Sequence, residues 1–123
     1  MTARILAWGP VVAYMALIFY ASSQRSVPPV VGLFGDKVVH AGAYAVLAAL
    51  AVRALTDRFR LPVTAGVALL ATIIAALYGL SDEVHQSFVP TREMDVFDLL
   101  ADSVGATIAA AGFRAWSIFA RGK

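Results

Sequence analysis

Apolar and polar positions fall in long blocks along this chain, without the three-to-four-residue alternation of a helix half exposed to water. Residues 5–24 carry no charge; they run ILAWGPVVAYMALIFY before turning polar at Ser22-Ser23-Gln24. Residues 61–81 form a second uncharged stretch. Val38–Val52 is free of Asp, Glu, Lys and Arg but includes His40, and Ser103–Phe113 lies between Asp102 and Arg114. About 20 apolar residues at 1.5 Å per residue cross roughly 30 Å of hydrocarbon. The two long blocks meet that length outright. The two shorter ones reach it only by taking in ionisable residues at their ends, which must then face headgroups or a wet, protein-lined cleft.

The pattern predicts an all-α, four-transmembrane-helix bundle, a single domain over residues 1–123 with helices near 4–22, 37–55, 62–84 and 96–119. The connections fit: Gln24–Gly35 holds Pro28-Pro29, Gly32 and Gly35, Thr56–Pro62 is a short charged turn, and Ser81–Val96 is polar with Pro90. Arg4, the first apolar run and Ala21-Ser22-Ser23 also resemble a cleavable leader, but the long aromatic-rich run favours a retained helix. Small residues recur at Ala41/Ala45/Ala48, Ala71/Ala75/Gly79 and Gly105/Ala109, a spacing that lets backbones approach closely in lipid.

Composition agrees. Hydrophobic residues make up 60% of the 123 and charged residues 15%, against about 45–50% and 25% in soluble domains. A soluble domain of this size could not bury so much apolar surface. The ten basic residues are scattered, which argues against nucleic acid. The absence of cysteine removes disulfides, thiol nucleophiles, Cys-based metal sites and quinone-linked disulfide oxidoreductases.

Charge also predicts orientation. If the N-terminus, the 53–60 turn and the C-terminus share one side, that side holds Arg4, Arg53, Arg58, Arg60, Arg114, Arg121 and Lys123 with one acid, Asp57. The other side holds Arg25, Lys37 and Arg92 with Asp36, Asp82, Glu83, Glu93, Asp95, Asp98 and Asp102. The excess of cations belongs in the cytoplasm. Both termini are then cytoplasmic, with two short extracytoplasmic loops and Trp8 and Trp116 at the inner interface.

Candidate chemistry gathers at the outer ends of helices two, three and four. Lys37, His40 and Tyr44 share one helix face, as do Tyr78, Asp82 and Gln86, with Glu83 and His85 beside them; Asp95, Asp98, Asp102 and Gly105 form a third stripe. Three charged stripes at one depth, near hydrocarbon, imply a shared polar pocket.

These residues fall in three ordered motifs: Asp36-Lys37-x-x-His40-x-x-x-Tyr44, Tyr78-Gly79-x-x-Asp82-Glu83-x-x-Gln86, and Arg92-x-x-Asp95-x-x-Asp98-x-x-x-Asp102-x-x-Gly105. In them the chain resembles the VanZ-like family over about two-thirds of its length. The resemblance implies a bacterial cell-membrane protein. The family's founding member is associated with low-level resistance to the glycopeptide antibiotic teicoplanin, by a route that leaves the cell-wall peptide terminus unchanged. The chain departs from the family at Thr91, where glycine is common, and at Asp102, where asparagine is usual.

Each feature also has a structural explanation. Asp36-Lys37 can cap a helix, Tyr44 and Tyr78 can pack with a satisfied hydroxyl, His40 and His85 can be bonded at helix ends, and Arg92 can pair with Asp95 and Asp98. The excess of carboxylates over bases favours a site, because unmatched carboxylates at membrane level call for protons, a cation or a ligand. Three readings follow. The first is a binding module whose Lys37, Tyr44, Tyr78, Gln86, Arg92, Asp95, Asp98 and Asp102 hold a lipid-linked or glycopeptide headgroup. The second is an enzyme with Glu83 or Asp82 as base, His40 or His85 as acid/base, and Arg92 opposite developing negative charge. The weakest is a small exporter, since no carboxylate lies deep in a span. No tight metal motif such as HExxH is present; the oxygen set a divalent cation would use is Asp82, Asp95 and Asp98. The bilayer is the expected partner, and nothing in the pattern indicates an oligomeric state.

Overall fold

The computed structural model describes every residue except Val27, Pro28 and Lys123, so Pro28 of the expected turn and Lys123 of the basic count lie outside the described residues. Among the described residues five helices form: α1 (Thr2–Ser22), α2 (Pro29–Phe34), α3 (Asp36–Leu55), α4 (Ala65–Gln86) and α5 (Val96–Arg121). Among the described residues there are no strands. α1, α3, α4 and α5 are each long and apolar enough to cross a membrane. They match the four expected helices, and small shifts at their ends have local causes. α4 begins at Ala65 because Thr64 caps it, its side chain accepting from Val67 N at 3.1 Å. α5 begins at Val96 as expected, capped by Asp95, whose Oδ1 accepts from Phe97 N at 2.8 Å.

The segment read as an irregular connection between the first two spans contains the short helix α2. Proline favours the first helical position, where its missing N–H costs nothing, and Pro29 occupies it. Gly35, at φ +86°, then turns the chain into α3, a conformation open to glycine without steric cost.

Beside Tyr44, Leu47 and Val52, the bundle core is made largely of small side chains, and many large ones are exposed. Ala48, Ala51, Ala71, Ala75, Ala106 and Ala110 are buried, while Leu69, Ile73, Leu77, Ile108 and Phe119 face outward. A soluble domain would reverse this; in lipid, exposed Leu and Ile cost nothing and small residues let helices meet. α3 is central and packs on α1, α4 and α5. It meets α5 backbone to backbone at Ala41 and Gly105, the close approach that small-residue spacing predicts.

α1 is tied in through hydrogen bonds as well as packing. Tyr14 donates to the Ala43 carbonyl at 2.8 Å, and Tyr78 donates to the Met15 carbonyl at 2.5 Å. Pro10 lies inside α1 and has no N–H, which leaves the Leu6 carbonyl without its usual helical donor. Arg53 of α3 donates to that oxygen at 3.1 Å. An unsatisfied carbonyl at membrane depth costs several kcal/mol, so this contact fixes the α1–α3 register.

Candidate functional site

The three predicted stripes converge at the end of the bundle opposite the termini. In the outermost layer the first turn of α3 meets the start of α5. Lys37 donates to Asp36 at 3.0 Å, to Asp95 at 2.7 Å and to Asp98. The hydrogen bond from Lys37, helped by that from Phe97 N, holds the Asp95 carboxyl below the usual carboxylate range.

One turn deeper, His40 bridges α3 and α5. Its Nδ1 donates to Asp102 at 2.8 Å, while Nε2 lies 3.5 Å from Asp98 and 3.7 Å from Asp36. Asp102 is fully buried, and its second oxygen, Oδ2, has no hydrogen-bond partner among the described residues. Space for this carboxylate comes from Gly79 on α4. A Cβ there would lie 2.9 Å from Asp102 Oδ2 and 3.3 Å from the Tyr44 ring.

α4 supplies Glu83 and Asp82. Glu83 is fully buried; one oxygen accepts from the Asp95 backbone N–H at 3.0 Å, and the other, Oε1, has no partner among the described residues. Asp82 accepts from Tyr44 at 3.1 Å and from Ser22. Ser22 is the residue that sequence reasoning missed. Its signal was faint, a first polar position after a long apolar run, and it brings α1 into the site alongside the other three spans.

A cavity of about 120 Å³ opens between α1, α3 and α4. Its polar lining is Ser22, Asp36, His40, Tyr44, Asp82, Gln86 and Arg92, set against an apolar wall that includes Ile18, Val39 and Ala43. That space suffices for several waters or a small polar group.

Other expected residues take different positions. Tyr78 is engaged with the Met15 carbonyl. Arg92 lines the cavity, but its Nε donates to the Gln24 carbonyl at 2.9 Å, and among the described residues it makes no ion pair with Asp95 or Asp98. Beside it, Thr91 bonds the Arg25 carbonyl at 2.6 Å, so the α4–α5 loop holds the end of α1. Thr91 adopts φ +71°, which gives a physical reason for the glycine common in the resembled family. His85 stacks on Phe19 with centroids 4.2 Å apart and does not line the cavity. Among the described residues, two acidic groups bring their ligand atoms within 4.8 Å of one another: Asp36/His40/Asp98 and His40/Glu83/Asp102. Asp82 and Asp95 belong to neither.

The arrangement can bind hydroxyl or cationic groups through its carboxylates, hold a cation, or pass protons between His40 and its neighbours. A family model described as VanZ/LLP1 matches the chain over residues 7–119. No curated protein matches it, and no solved structure does.

Proposed function

The chain belongs to the VanZ/LLP1 family, and we propose that it is a bacterial cell-membrane protein whose cavity faces outward and binds the polar headgroup of an envelope ligand, lipid-linked or glycopeptide. The observation that carries this reading is the mixed lining of the cavity. The carboxylates of Asp36 and Asp82 and the amide of Gln86 suit sugar hydroxyls and ammonium groups, and Arg92 suits an anionic group. The apolar wall beside them suits a ligand that is itself partly apolar. The outward placement follows from the excess of basic residues at the termini side. Low-level teicoplanin tolerance is the phenotype that family membership suggests.

A second reading, catalysis on such a ligand, draws support from the His40–Asp102 contact, in which a buried carboxylate orients an imidazole at the cavity edge. Binding is the simpler reading, because of the two bases expected from sequence Glu83 does not line the cavity, and Asp82, which does, is already engaged by Tyr44 and Ser22.

The test titrates detergent-purified protein with teicoplanin and, separately, with a polyprenyl-phosphate-linked sugar. Wild type should bind at least one of these probes. Gln86→Ala, and Ala43→Leu, which fills the cavity, should weaken that binding at least tenfold with little change in melting temperature. Absence of binding to both, or variants that bind as wild type does, would leave the cluster as a structural lock.

A further inference from the structure

Glu83 and Asp102 pose a problem that the cavity ligand does not solve. Both are fully buried at membrane level, and each has one oxygen bonded and one with no partner among the described residues. Unpaired buried carboxylates are costly, and in a protein they are kept where a proton or a cation neutralises them. His40 lies between them, and the ligand atoms of the three side chains fall within 4.8 Å of one another.

We infer that His40, Glu83 and Asp102 form a binding site for a divalent transition-metal ion, with Zn²⁺ and Mn²⁺ the best-fitting ions. The donor set is one imidazole nitrogen and two carboxylate oxygens. Imidazole suits zinc better than magnesium or calcium, and a carboxylate-rich set also suits manganese. Metal–ligand bonds of about 2.0–2.2 Å place ligand atoms roughly 3–4.4 Å apart, so the three groups need only small adjustments around an ion.

The surroundings of His40 support the same reading. In the present arrangement Nδ1 faces Asp102, and Nε2 faces Asp98 and Asp36 at 3.5 and 3.7 Å. Ligation through Nδ1 requires that nitrogen to give up its proton to solvent, while Nε2 keeps its hydrogen and donates it to Asp98 or Asp36. A carboxylate behind a ligating histidine is the usual support for such a ring. The cavity, which His40 also lines, offers the route of entry and the water for the remaining coordination positions. Glu83 is further held by the Asp95 backbone N–H, so the loop entering α5 positions the ligand. The ion's two positive charges offset the two carboxylates.

The experiment uses the full chain in detergent, stripped with a chelator and given Zn²⁺ or Mn²⁺ alone. Expected are a single ion retained per chain after desalting, proton release on binding, and a higher melting temperature. Glu83→Gln and Asp102→Asn should each weaken binding on the order of tenfold or more. Each should also melt, metal-free, no lower than metal-free wild type, because an unpaired buried charge has been removed; this shows that the variants fold. Asp36→Asn, in the neighbouring acidic group, should change affinity by only a few-fold, because Asp98 remains to accept from His40 Nε2. Retention of neither ion by wild type would overturn the site in favour of protonated carboxylates. Unchanged binding in Glu83→Gln would overturn this ligand set. Failure of wild type to bind either headgroup probe, with its metal binding intact, would count against the cavity reading alone.

Discussion

A methyl group on Gly105 would lie 2.0 Å from the carbonyl oxygen of Ala41. α3 and α5 therefore meet backbone to backbone, and the obstacle is a helix rather than the end of a flexible side chain. Gly105→Ala must push the two helices apart. Overpacking of this kind costs about 1–3 kcal/mol or more. The damage should reach the site, because His40 precedes Ala41 and Asp102 lies one turn before Gly105. Gly112→Ala on the same helix meets nothing within 4 Å and should be neutral or stabilising, given alanine's higher helix propensity. Melting of the two variants in detergent compares them. Equal melting temperatures would show that the helices do not touch in this way.

Orientation has a separate test. The chain has no cysteine, so cysteines introduced singly at Ser26, Val89 and Asp57 are unambiguous reporters. With cytoplasmic termini, a membrane-impermeant maleimide added to intact cells should label the first two and spare the third. The opposite pattern would place the cavity inside and remove the basis for an extracytoplasmic ligand.

The four spans were legible because hydrophobic length is a property of the sequence itself, and the three stripes because spacings of three and four fix which residues share a helix face. Gly105 and Gly79 were legible as small-residue packing, though not as the places that admit Ala41 and Asp102. What lay beyond sequence depends on which partner a side chain reaches. Ser22 is one hydroxyl at the end of an apolar run, and nothing local says that it meets Asp82, sixty residues away. Arg92 was read against acids because of its charge, whereas its guanidinium meets a backbone carbonyl at the end of α1. The sequence divided the acids by count, with Asp82, Asp95 and Asp98 as the oxygen set. Three-dimensional pairing divides them by satisfaction. Asp82 and Asp95 have their donors, and among the described residues the buried carboxylate oxygens without a partner are on Glu83 and Asp102.

The Tyr44–Asp82 contact decides how much of the site is held by its own hydrogen bonds. Tyr44 is almost fully buried, and its hydroxyl donates to Asp82 at 3.1 Å; Ser22 takes the other oxygen. Tyr44→Phe keeps the ring and deletes that donor, so a buried carboxylate loses one of two partners. The expected cost is about 1–3 kcal/mol, seen as a lower melting temperature. Asp82→Asn removes the charge but leaves an amide oxygen that Tyr44 can still reach, so it should cost less. If the phenol matters chiefly because it serves a charge, the loss from Tyr44→Phe should shrink on the Asp82→Asn background. Coupling between groups in direct contact is typically about 0.5–3 kcal/mol. A double-mutant cycle on detergent-solubilised protein measures it. Strictly additive losses would mean that water in the cavity serves Asp82 as well as the phenol does, and that Tyr44 is held there by packing against Gly79 alone.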